Sequence, residues 1–214
     1  MKNTFLLFAL ILWVMGCGAD APAAEDSTNS DNDSAPAVDL TIKPGEGFGD
    51  FTEETAKKDM VATLGKENLS DQAFHLGEGE MAPGLLVYPG TEKEIEVLLD
   101  EDGYPLIYRV RKADSEWRGP GGLRIGTTLA ELKQINGGDF RLAGFGWDYG
   151  GTVTNWQGGA LARDGFLVVV DVVGELNDMT PEDTEALMGD QEIASTLPAL
   201  ARYPIEVVRI EQRY

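Results

Sequence analysis

The chain is poor in the residues that most enzymes use for chemistry. Its 214 residues include one cysteine, Cys17, and one histidine, His75. A single cysteine excludes an intrachain disulfide and a thiolate metal cluster. No Gly-x-Ser-x-Gly elbow and no phosphate-binding loop occurs, so the common nucleophile and nucleotide motifs are missing. A lone histidine reads first as an ordinary polar strand residue. Basic residues are scarce as well: 17 Lys and Arg stand against 37 Asp and Glu, a formal net charge of -20. So acidic a chain repels phosphate backbones and anionic lipid heads, which argues against nucleic acid as a partner and leaves cationic partners or divalent metal open. Nor is there an apolar run of the roughly 20 residues that a membrane-spanning helix needs.

What is present begins with a three-part export signal over residues 1–16: a positive start at Lys2, an apolar stretch from Phe5 to Met15, and the small residue Gly16. The sequence Val14-Met15-Gly16-Cys17 resembles the lipobox of bacterial lipoproteins, with Met15 an unusual occupant of its position. The resemblance implies cleavage before Cys17, lipid on that cysteine and a membrane anchor. Gly18 in place of aspartate behind it implies, by the same resemblance, the outer membrane. Residues 17–39 read as a solvated acidic tether, with Asp20, Glu25, Asp26, Asp31, Asp33 and Asp39 and no basic residue. Such a stretch resembles the surface-export signals of some Bacteroidota lipoproteins; a plain spacer is the alternative.

About 175 residues follow, enough for one sizeable core or two small fused ones. A helix is predicted from Thr52, with Glu53 and Glu54 at its positive end, Ala56, Met60, Val61 and Leu64 on one face, and Gly65 as the stop. A second begins at the capping box Thr128-Leu129-Ala130-Glu131 and ends at Gly137 and Gly138. A third runs from Thr180 and Pro181 towards Gly189. Between the first two, Ile95, Val97 and Leu99 alternate with polar residues, Asp100 to Gly103 turns, and Tyr104, Leu106, Tyr108 and Val110 return. Counting back from a four-residue loop pairs Leu99 with Tyr104 and sets Glu94 opposite Arg109. Residues 139–149, 152–156, 166–173 and 205–213 read as further strands, with 166–173 apolar enough to be central. The expected architecture is α+β, two helix-plus-antiparallel-sheet units at 40–118 and 119–214 that share one sheet or pack face to face. Ile125-Gly126-Thr127-Thr128 through Leu132 to Gly137, and Phe48-Gly49 through Thr52 to Gly65, resemble the fold of β-lactamase-inhibitor protein and of the small lipoprotein of the outer-membrane barrel-assembly machinery. That resemblance implies a binding scaffold rather than a catalyst.

The most distinctive stretch is Gly144-Phe145-Gly146-Trp147-Asp148-Tyr149-Gly150-Gly151, followed by Asn155 and Trp156. In an extended chain Phe145, Trp147 and Tyr149 share one face and the glycines the other. This reads either as a stacking platform for a sugar or a partner's side chains, with Asp148 and Asn155 as polar contacts, or as core aromatics behind glycines that allow close packing and bends. Trp117 fits both versions. Asp171, inside the apolar run 166–173, must be neutral, paired with Arg141 or Arg163, or placed where the strand emerges. The first functional expectation is therefore a lipid-anchored, non-enzymatic binding or envelope-assembly module acting on a protein or glycan of the envelope, without cofactor or metal. The alternatives are a hydrolase of envelope polysaccharide using Glu78, Glu80 or Asp171 as its carboxylates, and a calcium-dependent glycan-binding module around Asp100-Glu101-Asp102-Gly103.

Overall fold

The computed structural model describes residues 38–77, 79–174 and 179–214. The expected export signal, Cys17, the expected tether up to residue 37 and Glu78 lie outside the described residues. The strands β1 (Ile42–Lys43), β2 (Gly47–Phe48) and β3 (Phe51–Thr52) form a small antiparallel sheet that leads into helix α1 (Lys57–Leu64). The helix starts five residues later than its charge pattern suggests. Thr52 is still strand, paired with Gly47, and its N–H donates to the Thr55 hydroxyl at 3.0 Å, so Glu53 and Glu54 precede the first turn. Met60 is buried and Gly65 ends the helix, as the apolar spacing requires.

Next come β4 (Leu69–Gly77), β5 (Glu80–Val87), β6 (Ile95–Leu99) and β7 (Pro105–Val110). The β6–β7 hairpin turns through five residues, closed by Asp100 N–H to Tyr104 carbonyl at 2.9 Å, and a bulge between Leu98 and Leu99 adds a further offset. Val97 therefore faces Tyr108, and Glu96, not Glu94, stands opposite Arg109. An offset of two residues preserves the face on which Ile95, Val97, Tyr108 and Val110 are buried, but leaves Tyr104 and Leu106 exposed at the hairpin end. The other face is apolar too: Leu98 and Ile107 pack with Phe74 and Ala82 in a second, smaller cluster.

The second half supplies α2 (Leu129–Asn136), β8 (Arg141–Ala143), β9 (Val153–Asn155), β10 (Phe166–Val172), α3 (Pro181–Leu187), β11 (Glu192–Ala194) and β12 (Ile205–Arg213). The capping box forms: the Thr128 hydroxyl accepts from Glu131 N–H at 3.3 Å, and the Glu131 carboxylate accepts from Thr128 N–H at 2.8 Å. Thr180 likewise caps α3. The fold is α+β, and the two halves share one six-stranded antiparallel sheet of order β10-β12-β7-β6-β5-β4. Its main core holds Trp117, Tyr108, Phe48, Phe140 and Phe145.

Strand β10 is at the edge of this sheet and not in its centre. Its apolar run has another cause. Beyond it, Thr152 bridges Val169, and Val170 N–H donates to the Gly151 carbonyl at 3.0 Å, so the edge is covered by the segment that enters a third small sheet, β11-β8-β9. Gly151 makes this approach possible. Its φ is 72°, and a Cβ there would lie 1.7 Å from the Val170 carbonyl oxygen. Gly151→Ala is expected to cost about 3 kcal/mol in urea unfolding, whereas Gly158→Ala, with φ 77° and open space around it, should cost only the left-handed strain of about 1 kcal/mol. Equal losses at the two positions would show that strand contact does not govern the first.

Candidate functional site

Three adjacent strands carry charged residues in register. Glu96 on β6 stands opposite Arg109 on β7, which stands opposite Glu211 on β12. Arg109 is buried and spans both carboxylates, with Nη1 3.2 Å from Glu96 Oε2 and Nε 2.7 Å from Glu211 Oε1. Two residues away along β12, on the same face, are Arg209 and Arg213. Arg213 Nε donates to Glu211 Oε2 at 2.8 Å; Arg209 Nε approaches Oε1 at 3.0 Å but is buried and makes no hydrogen bond. Burial pulls the Glu211 carboxyl up, yet Arg109, Arg209 and Arg213 together outweigh it and hold it below the ordinary glutamate value. Arg111, just beyond β7, adds a fourth guanidinium 3.9 Å from Glu96.

Glu96 and the four arginines line an open cavity of about 300 Å³, while Glu211 itself is fully buried. Gln72 to Leu76 of β4, including His75, and the loop residues Asp148 and Tyr149 also line it. Since β4 and β12 stand four strand steps apart and both line it, the sheet curls around this face. Four of the chain's nine arginines meet here, in a molecule of net charge -20. The pattern that could have revealed them is Arg209-Ile210-Glu211-Gln212-Arg213, which places like charges on one strand face two residues from a carboxylate. The misplaced hairpin register hid their partners on β6 and β7.

The aromatic segment divides between the two readings. Only Arg141–Ala143 is strand; residues 144–151 form a looped connection held by Gly144 N–H to Gln191 carbonyl and Phe145 N–H to Leu187 carbonyl, both at 2.8 Å. Phe145, Trp147 and Tyr149 therefore do not share one strand face. Phe145 is 1% exposed and Trp156 8%, the latter packed on Phe140 with ring centroids 5.4 Å apart, so both belong to the core. Trp147 and Tyr149 are 37% and 38% exposed and meet edge to face at 5.4 Å, with Trp147 Nε1 donating to the Gly144 carbonyl at 2.8 Å. Asp148 lies exposed between them. Asn155 is used locally: its side-chain oxygen accepts from Gln157 N–H at 2.7 Å and fixes a turn.

Other residues singled out by sequence fall elsewhere. Asp171 is not buried: it is exposed on the edge strand and accepts from Val172 N–H at 2.8 Å, while Arg141 binds Glu192 and Arg163 donates to its neighbour's carbonyl. Three strands separate Asp171 on β10 from Glu80 on β5. Strand spacings of about 4.8 Å set the pair well apart for a reaction that needs two carboxylates roughly 5–9.5 Å from each other. Asp100 accepts from the N–H groups of Asp102 and Tyr104, which ties its carboxylate to the hairpin turn. Among the described residues no three His, Cys, Asp or Glu side chains are grouped as a metal site needs. Trp117 is core, stacked edge-on against Phe48 at 5.5 Å.

Arg109→Ala would leave Glu211 buried with its central partner gone and is expected to cost about 3–5 kcal/mol. Since the folded-state acidity of Glu211 is the stronger, its contribution is full above about pH 4.5 and is lost as pH falls through the lower folded value. Stability of Glu211→Gln, followed by denaturant unfolding between pH 6 and 3, should therefore fall less steeply with acid than that of the parent. Parallel curves would count against the ladder as the acid-sensitive element. No protein-family model, curated protein or solved structure matches this chain.

Proposed function

We propose that the chain is a lipid-anchored, non-enzymatic binding module of the bacterial cell envelope, and that its ligand meets the Trp147–Tyr149 loop at the mouth of the arginine cavity. The observation that carries this reading is an exposed aromatic pair in which Tyr149 lines an open, polar cavity and Trp147 packs edge to face against it. Aromatic side chains left in solvent on a tightly tied loop bury area on binding at little entropic cost. A protein or a glycan of the envelope is the partner. The scaffold resemblance to β-lactamase-inhibitor protein and the barrel-assembly lipoprotein belongs to the same proposal and rests on the units around α1 and α2.

The anchor is proposed from Cys17 and the residues before it, with the outer membrane favoured by Gly18 and the domain facing the periplasm or the surface. Among the described residues no helix is long and apolar enough to cross a membrane. Cys17→Ser is expected to abolish palmitate labelling and to move the protein from the membrane to the soluble fraction. Retention of label and of membrane association would sink the anchor.

For the binding surface, Trp147→Ala and Tyr149→Ala should leave the fold intact at a cost of about 1–2 kcal/mol each, from the lost edge-to-face contact and, at Trp147, the hydrogen bond to the Gly144 carbonyl. The same variants should lose capture of envelope glycan or protein by the full chain in nonionic detergent. Undiminished capture by both variants would move the ligand to another face.

A further inference from the structure

We infer that the arginine cavity is an oxyanion site, built to hold the carboxylate or phosphate of an acidic sugar whose ring rests against Tyr149 and Trp147. This rests on the binding-module reading and names the ligand chemistry of that same surface.

The charge inventory of the cavity is the first ground. Arg109, Arg111, Arg209 and Arg213 line it against Glu96 and Asp148, and even with the buried Glu211 that pairs with Arg109 counted, one positive charge is in excess. Elsewhere the molecule is overwhelmingly negative. An ion-pair network that served stability alone would need no surplus of guanidinium, because like charges gathered on one strand face repel.

The second ground is how unevenly the arginines are satisfied. Arg109 and Arg213 hold hydrogen bonds to Glu211, but Arg209 Nε holds none and Arg111 comes no closer than 3.9 Å to its carboxylate. Burial lowers the affinity of Arg209 for its proton; Glu211 opposes this, and Arg109, Arg213 and Arg111 add to it. A further anion would relieve that repulsion. Guanidinium forks recognise the planar oxygens of carboxylates and phosphates, and Arg111 and Arg209, 62% and 27% exposed, both line the open cavity even though Arg209 Nε itself is buried against Glu211.

The third ground is size and edge. About 300 Å³ is at the small end of ligand sites and fits one ring-sized group rather than a protein surface. Tyr149 lines the same cavity and is held edge to face against Trp147, so an anion seated on the arginines brings its ring near an aromatic side chain. That arrangement favours an acidic sugar over an acidic peptide, whether the sugar is free or terminal on a glycan.

The test is calorimetric titration of the full-length chain in nonionic detergent with glucuronate, glucose 6-phosphate, glucose and inorganic phosphate, followed by a glucuronate-terminated oligosaccharide. One or both acidic sugars should bind at least about tenfold tighter than glucose and tighter than inorganic phosphate, with affinity falling as salt rises. Preference for the oligosaccharide over free glucuronate would make the natural source a glycan end; the reverse would make it a free sugar acid. Arg111→Gln removes a side chain that is 62% exposed, so its melting temperature should hold while affinity for the acid falls about tenfold. Arg209→Gln should do the same, read only where its melting temperature is also retained. The inference is overturned if glucose binds as tightly as the acids, if Arg111→Gln binds them unchanged, or if no acidic sugar binds at millimolar concentration. Should acidic sugars fail while envelope material is still captured through Trp147, this inference alone is lost; if capture fails too, the binding-module reading falls with it.

Discussion

A single buried guanidinium sets the terms for one whole face of this protein. Arg109 must neutralise Glu96 on one neighbouring strand and Glu211 on the other, so the three strands can pair in only one register without stranding a charge. A one-residue slip would carry the set to the apolar face that holds Tyr108 and Trp117, at a cost of several kcal/mol per unpaired ion. Hydrophobic pattern alone specifies this register weakly, because β6 is buried on both faces and Leu98 and Ile107 offer a second apolar surface. The ion ladder supplies the discrimination that alternation lacks. It joins strands from the first half of the chain to the C-terminal strand, which makes the shared sheet indivisible.

The same ladder explains why the helical elements were legible in the sequence and the site was not. Thr128 and Glu131, Gly137, Thr180 with Pro181, and the apolar spacing that buries Met60 and Leu132 act over four or five residues, within the reach of a local pattern. The α+β class and the strand at 205–213 follow from the same kind of information. Helix α1 begins late because Thr52 is held in a strand by Gly47, a contact that no local signal announces. The bulge at Leu98 shifts a hairpin whose alternation is otherwise regular, and with it the partner of Arg109. Arg109 and Glu211 are 102 positions apart, and their meeting is a property of sheet order.

Misreading of the aromatic segment has a related cause. Alternating aromatics imply a common face only if the backbone is extended, and residues 144–151 turn instead. Gly151, at φ 72° against the Val170 carbonyl, brings the segment close to the edge of β10, while Phe145 is drawn into the core through its bond to Leu187. Trp147 and Tyr149 are left outside, and the bond from Trp147 to the Gly144 carbonyl limits where the indole can go. The residues that look alike in sequence thus part company: Phe145 and Trp156 belong to the core, while Trp147 and Tyr149 stay exposed and Tyr149 lines the arginine cavity.

Placing a basic cavity in an acidic protein shapes how an anion reaches it. At physiological salt the Debye length is about 8 Å, so an approaching anion first meets the outer negative charge and feels the arginines only near contact. Long-range steering, which accelerates association when surface and ligand differ in sign, is absent and even reversed. Affinity for an acidic ligand must then come from slow release, through guanidinium hydrogen bonds in a partly desolvated cavity, rather than from fast capture. Added salt acts on the two stages in opposite senses, easing approach by screening the outer repulsion and hastening release by weakening the inner attraction. The proposed membrane tether would supply what the field withholds, because a ligand confined to the same envelope would arrive at high local concentration without needing to be steered.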